Sequence, residues 1–264
     1  QQKYPIICSM ATDNEHKLQK MLALQTQGAV CLAAWLERAR ISRDLQAYYR
    51  RSGWLTAIGR GAFIRPHDTV GWQGGLYALQ RQASLPIHVG ALTALSMTGF
   101  AHYVRMGSEQ VFLFAPPKTP YPTWFKNHDW NTSIQLVRTS ILPDKLGLTD
   151  YEEKTFSIRI SSPERAILES LFLAPEAVDI VECALVMEGL TTLRPRLVQQ
   201  LLEQCTSIKV KRLFLYLASR AGHSWFKRLD RGKVTLGSGD RTITKGGAYI
   251  AEFAITVPKE LVQP

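Results

Sequence analysis

The sequence predicts an α+β protein, with an N-terminal winged helix-turn-helix followed by a larger mixed α/β C-terminal domain. Three observations carry that expectation. Apolar residues recur at helical spacing through three successive segments before Gly53. The period then drops from about 3.6 to 2 on either side of Gly59-Arg60-Gly61, as it does where helices give way to a hairpin. Beyond Pro66, strand-like and helical segments mix without an internal repeat. The chain has 264 residues, more than the roughly 100–200 usual for one domain. The expected division is residues 1–66, extendable to about 90, and residues 67–264, because the helices after Pro66 can pack with either part.

The N-terminal elements follow in order. His16 to Gln25 places Leu18, Met21, Leu22 and Leu24 at helical spacing, and Gly28 ends the run. Val30 to Ala39 reads as a second helix with Leu32, Leu36 and Ala39 on one face. After Arg40-Ile41, Ser42 is a good N-cap for a third helix that runs to Ser52 and stops at Gly53. Trp54–Ile58 and Ala62–Arg65 then form a hairpin closed by Gly59-Arg60-Gly61.

In the C-terminal part, Gly71–Ala83 and His88–Met97 read as helices, and Val111–Phe114, Ile134–Arg138 and Thr155–Ile160 as strands. Pro116, Pro117, Pro120 and Pro122 make the segment between them a loop. Helices are expected at Pro163–Leu173, Pro175–Glu188, Arg196–Cys205 and Lys209–Ala221. Strand-like residues surround a glycine-rich turn in Lys233–Val257.

Composition excludes several classes. A hydrophobic fraction of 45% and a charged fraction of 20% suit a folded globular chain and argue against disorder. No run of about 18 uncharged apolar residues is present, so no membrane span is expected. Residues 1–13 carry one lysine and too short an apolar run for a secretory signal, which makes the cytoplasm the expected location. None of Cys8, Cys31, Cys183 and Cys205 forms a C-x-x-C pair or has a histidine at ligand spacing, so no metal or other cofactor is expected. Cys31, Cys183 and Cys205 lie in apolar helical patterns and read as buried reduced thiols.

The net charge is +10, and it is partitioned. Residues 1–66 hold ten Lys/Arg against four Asp/Glu, residues 205–246 ten against two, and residues 147–188 three against nine. Two basic regions therefore flank an acidic one, a distribution that favours an anionic partner such as nucleic acid.

A recognition helix packs one face inward and offers donors to base edges and phosphates on the other. In Ser42–Ser52, Leu45, Tyr48 and Tyr49 are assigned inward. Arg43, Gln46 and Arg50 fall at i, i+3 and i+7 and are assigned to one outward face, where Arg suits guanine and Gln adenine. Arg51 is placed for phosphate, and Arg60 at the hairpin tip for the minor groove or backbone. Double-stranded DNA is the expected partner of Ser42, Arg43, Gln46, Arg50, Arg51 and Arg60. A winged helix that binds only protein, and a solvated basic helix, remain alternatives.

In the second basic region Lys209, Lys211, Arg212, Lys227 and Arg228 are interleaved with Phe214, Tyr216, Trp225 and Phe226. That mixture suits an acidic partner or nucleic acid, and suits equally a core helix with a solvated basic rim. Among enzyme signatures, no Walker A loop, G-x-S-x-G elbow or H-E-x-x-H pair is present. Glu152-Glu153-Lys154 with Asp144 or Asp150 is the one catalytic candidate, as a metal-dependent nuclease set. Gly237-Ser238-Gly239 and Gly246-Gly247 read as hairpin turns rather than phosphate loops.

Three segments carry a family resemblance. Gly28–Pro66, above all ISRDLQAYYRRSGWLTAIGRGAFIRP, resembles the N-terminal domain of AbiEi-type antitoxins, the antitoxin-repressors of type IV toxin–antitoxin (abortive-infection) modules. VGALTALSMTGFAHY (Val89–Tyr103) is similar to the helix that follows that domain in the family. SSPERAILESL (Ser161–Leu171) is similar to the family's Pro-Glu-Arg-Ala helix start. Beyond Leu190 the assignment rests on continuity. The resemblance implies a repressor that autoregulates its operon through the N-terminal domain. It also implies a C-terminal domain that neutralises a nucleotidyltransferase-like toxin, with contact, competition and modification all open as the means; no enzyme activity is expected of the chain. The Pro-Glu-Arg-Ala start has a structural account as well: a serine cap, Pro163 in the first turn, Glu164 at the positive helix end, and an i, i+4 pair from Arg165 to Glu169.

Overall fold

The computed structural model describes residues 17–100 and 110–262. Cys8, His16, His102 and the end of the Val89–Tyr103 segment lie outside the described residues. The chain divides into two compact units. One comprises residues 1–85, 120–131 and 151–158, the other residues 86–119, 132–150 and 159–264. Both mix helix and strand, and the second is the larger, so the α+β class and the small-then-large order are as predicted.

In the first unit the predicted series of three helices and a hairpin is present, with one addition. Helix α1 covers residues 17–24. Strand β1 (Cys31–Leu32) precedes helix α2 (Ala33–Arg38), where the sequence suggested helix from Val30 onward. Helix α3 (Arg43–Arg51) is capped by Ser42, whose Oγ accepts from Leu45 N at 3.3 Å. Strands β2 (Thr56–Gly59) and β3 (Ala62–Ile64) pair antiparallel, and β1 pairs with β3 on the other side, giving the order β1-β3-β2. Met21, Cys31, Leu36, Ile41, Tyr49, Leu55 and Phe63 form the core. Fully burying one such side chain contributes about 1.5–3 kcal/mol. Burial raises the Cys31 thiol to about 12, in keeping with a reduced packing residue.

The buried amide of Gln82 stands in for a fourth strand. Its Oε1 accepts from Leu32 N and its Nε2 donates to Val30 O, both at 2.8 Å. The free edge of β1 is satisfied in this way. Gln82 belongs to a π-helical turn, Ala78–Gln82, that continues helix α4 (Trp72–Tyr77). Helix α6 (Thr123–Asn127) packs against β2 in the same unit.

A five-stranded sheet, most of whose residues belong to the second unit, holds strands β4 (His88–Val89), β5 (Gln110–Ala115), β6 (Ser133–Arg138), β7 (Leu148–Glu152) and β8 (Ser157–Ser161) in the order β6-β5-β4-β8-β7. The predicted helix at His88–Met97 is instead β4 followed by helix α5 (Ala91–Met97). Helices α7 (Pro163–Leu173), α8 (Ile180–Gly189), α9 (Pro195–Gln204) and α10 (Ile208–Ala221) follow. A second sheet holds β9 (Arg241–Thr242), β10 (Ala248–Ile250) and β11 (Ile255–Val257) in the order β10-β11-β9.

Helix α7 starts at Pro163, with Ser162 as N-cap residue. Its charges point inward. Glu169 accepts from Arg165 Nε at 2.7 Å, Ser161 Oγ at 2.8 Å and Ala91 N at 3.2 Å, and lies 3.0 Å from His88 Nε2. Burial alone would raise this carboxyl. The neighbouring His88, Arg165 and Ser161 outweigh it and hold the pKa below its usual value. The Pro-Glu-Arg-Ala start is thus a buried polar lock, with every oxygen of Glu169 satisfied.

Candidate nucleic-acid interface

Helix α3 advances by about 100° per residue. Tyr49 marks its inward direction, with Leu45 packed beside it on the core. Arg43, Asp44, Tyr48, Arg50 and Arg51 are exposed, and form the outward surface. Tyr48, assigned inward from the sequence, is 52% exposed.

Gln46 departs from its expected role. It lies only about 60° from Tyr49 around the helix and is 3% exposed. Its Nε2 donates to Ile41 O at 2.8 Å and to Ala33 O at 3.2 Å. The Ile41 carbonyl lies in the connection before α3, where no helix ladder continues past it, and the Ala33 carbonyl, already in the α2 ladder, takes Gln46 as a second donor. Gln46 therefore fixes the angle between the two helices and is not free to meet an adenine. The i, i+3, i+7 spacing put it with the two arginines, but it sits at the boundary of that face, and the nearby acceptors draw it inward.

The three arginines of α3 differ in how they are held. Arg43 has an 84% exposed side chain, and its Nε donates to Glu37 Oε1 of α2 at 2.8 Å. The Arg50 guanidinium lies 6.0 Å from the centre of the Phe63 ring in β3, a cation–π approach. Arg51 is exposed one position further on.

Arg60 occupies the tip of the hairpin and is exposed. Gly61 beside it has φ +76°, a left-handed turn conformation that glycine adopts without strain. A bulge between Ala57 and Gly59 tilts the tip. A Cβ at Gly59 would stand 2.8 Å from Trp124 Cβ, so this glycine lets α6 approach the hairpin from behind. Trp124 and α6 carry no signal that sequence reasoning could use. They follow the proline-rich loop and show no periodicity. Together Glu37, Arg43, Ala47, Arg50, Arg60 and Trp124 line an open concavity of about 570 Å³ between α3 and the hairpin. Its mouth carries three arginines, and a positive concave surface of this kind concentrates an anionic ligand.

The second basic region is not one surface. Lys211 and Arg212 of α10 are 5% and 3% exposed. Lys211 Nζ donates to Thr235 O at 3.1 Å. Arg212 donates to Leu236 O at 2.9 Å, Gly237 O at 3.3 Å, Gly239 O at 2.6 Å and Ala254 O at 3.0 Å. In the long glycine-containing turn before β9, the carbonyls of Thr235, Leu236, Gly237 and Gly239 lie outside any ladder, and these two cations donate to them. Lys209 is half-buried; its amine donates to Phe172 O at 2.9 Å and Ala174 O at 2.5 Å, at the negative end of α7. Burial lowers its pKa, and Glu176 opposes that. The expectation that these three are an exposed patch is corrected accordingly. Lys227 and Arg228, on the short turn Phe226–Arg228, are exposed as expected. Lys227 lines an open concavity of about 560 Å³ with Ser219, His223 and Arg231.

Glu153 and Lys154 line a different concavity in the first unit with His67, Asp68 and Thr155. Asp150 pairs with Arg159 at 3.0 Å. Among the described residues, no three His, Cys, Asp or Glu side chains converge as a metal site would require. No helix among them is long and apolar enough to cross a membrane.

Comparison with known proteins agrees with this geometry. The overall fold is similar to that of the RV2827C protein from Mycobacterium tuberculosis. The two share 12% sequence identity with a TM-score of 0.56, and the likeness covers 89% of this chain and 88% of that one. No curated protein matches the chain significantly. Residues 14–106 match the family described as transcriptional regulator, AbiEi antitoxin N-terminal domain. Residues 108–258 match the one described as transcriptional regulator, AbiEi antitoxin, type IV TA system. With nearly the whole length matched, the chain belongs to the AbiEi antitoxin family of transcriptional regulators of type IV toxin–antitoxin systems.

Proposed function

We propose that the protein is a repressor that binds operator DNA of its own operon through a winged helix-turn-helix. We further propose that it acts as antitoxin through the C-terminal domain, neutralising a nucleotidyltransferase-like toxin in the cytoplasm. The observation that carries the DNA-binding reading is the exposed cationic face of α3, with Arg43, Arg50 and Arg51, set beside the Arg60 hairpin. The order α1, β1, α2, α3, β2, β3 with sheet order β1-β3-β2 supports it. A helix that offers arginines outward and a hairpin with a basic tip can occupy a major groove and the adjoining backbone together. Arg43 and Arg50 are assigned to base edges, Arg51 and Arg60 to phosphates, with Ser42 at the helix N-terminus near the backbone.

For the antitoxin role, family membership is the main support. Of the five residues singled out in the second basic region, Lys227 and Arg228 are exposed, and Arg231 and Lys233 beside them are exposed as well.

The test is titration of the full chain against DNA from its own promoter and against random duplex, at several salt concentrations. The expected result is promoter binding that is tighter by 10³-fold or more, with log K falling linearly in log salt. Equal affinity for both duplexes would overturn the repressor reading. Rescue of cells that express the cognate toxin tests the second role.

A further inference from the structure

Arg43 and Glu37 form an ion pair on the α3 face, with Nε 2.8 Å from Oε1, and this pairing bears on which base the face selects. Glu37 sits on α2, six residues before Arg43, and its carboxylate engages Nε, the nitrogen nearest the chain. That contact engages Nε and leaves the two terminal nitrogens outside it. A pair of terminal N–H donors held in one plane matches the O6 and N7 acceptors of guanine. An exposed arginine otherwise loses considerable rotamer freedom when it docks. Both residues line the concavity between α3 and the hairpin, where the DNA-binding reading places a base edge.

Building on the DNA-binding reading, we propose that Glu37 is a specificity-determining positioning residue, which orients Arg43 for bidentate recognition of one guanine of the operator. Were Glu37 only part of a solvated surface pair, its removal would leave discrimination at every base pair unchanged. An acidic residue facing a phosphate-rich partner repels it. Removing Glu37 should therefore raise affinity for random DNA while lowering discrimination at a single base pair. A residue that merely supported the fold would move both affinities the same way.

The experiment selects binding sites from a randomised duplex pool with the full-length chain, then titrates the selected site and its single-base variants. Wild type, Arg43→Ala, Glu37→Ala and Glu37→Gln are compared, each with a thermal melt. Arg43→Ala should abolish preference for guanine at one position. Glu37→Ala should relax the same position about tenfold, leave other positions unchanged, and bind random DNA as well as wild type or better. Glu37→Gln, which keeps shape and an acceptor oxygen, should fall between the two and covers the case in which the alanine variant melts early. The inference is overturned if both Glu37 variants keep the full guanine preference, or if they lose preference at a position that Arg43→Ala leaves intact. Failure of the wild type to select any site would instead overturn the DNA-binding reading, and this inference with it.

Discussion

Helices α3 and α10 look alike in the sequence and do opposite things with their charge. Each mixes basic residues with aromatics, and each begins after a serine whose side chain caps it. In α3 the arginines leave the core and form an exposed face. In α10 Lys211 and Arg212 turn into the protein and bind five carbonyls between them. What separates the two is the neighbourhood. Around α3, the acceptors that need a partner are few, and a neutral amide, Gln46, supplies them. Around α10, a long turn with several unpaired carbonyls packs on the helix, and leaving those buried without donors would cost about 1–3 kcal/mol each. A basic side chain is drawn inward where unsatisfied acceptors are concentrated, and stays outside where they are not.

The comparison breaks most readily at Arg212. Arg212→Ala should remove a donor from four backbone carbonyls and leave those of Leu236, Gly237 and Gly239 without it, while Ala254 O keeps Arg241 N at 2.9 Å. The expected loss is at least ~3 kcal/mol of stability, a fall in Tm of roughly 6 °C or more. The same exchange at the exposed Arg51 should leave the melt unchanged while weakening binding to all DNA and flattening its salt dependence. A normal melt for Arg212→Ala would mean that the turn before β9 finds other partners, and the contrast between the helices would fail.

Gln46 comes next. Gln46→Ala should cost about 1–3 kcal/mol, because the buried Ile41 carbonyl loses its side-chain donor and Ala33 O loses a second one. Its effect on DNA should be a uniform weakening across sequences, since the angle of α3 changes rather than a base contact. Loss of preference at a single base pair in a stable Gln46→Ala protein would return this residue to the recognition face.

How far these features were legible in the sequence follows from the range of the forces involved. Helix α3, its Ser42 cap and the hairpin rest on local rules and were read closely. The same holds for α7, whose Ser-Pro-Glu start marks its first turn. Strands β1 and β4 are two residues each and run into a helix, so their apolar residues merged into the helical pattern. Strand β7, rich in charged residues, offered no alternation to read. The direction of Gln46, Lys211 and Arg212 depends on carbonyls 5 to 42 residues away in the chain. No spacing rule on the helix itself contains that information. The outward arginines were legible because an exposed face needs no partner.

Acid should expose a third inward charge. Glu164 is buried, and burial would raise its pKa, but Arg194 donates from its backbone N, Nε and Nη2, and Ser162 from its hydroxyl. These donors outweigh burial and hold the carboxyl at about 2. Its folded pKa is below the unfolded value, so the stability it contributes is fully present above about pH 4.5. That contribution is lost as pH falls from there toward about 2. Urea unfolding at pH 6, 4 and 3 should show Glu164→Gln converging on wild type as the pH drops. A difference that stays constant across the series would assign the residue to packing alone.

The smallest effect on stability, and the sharpest use of the comparison, is expected at Lys227 and Arg228. They lie on a short surface turn, and among the described residues neither is placed against a carboxylate or a buried carbonyl. Replacing both with Glu should leave the melt within experimental error of wild type, because exposed charges contribute little. Operator binding by the α3 face should also be unchanged, apart from a small long-range term that salt screens. Toxin rescue in cells is the third readout. If this turn opposes an acidic toxin surface or the toxin's nucleic-acid substrate, reversal creates repulsion where attraction is required, and rescue should fail. Lys211 and Arg212 cannot serve this test, since their reversal would place carboxylates against buried carbonyls and unfold the turn they hold. A double variant that melts normally, binds operator and still rescues fully would remove the turn Phe226–Arg228 as a partner surface.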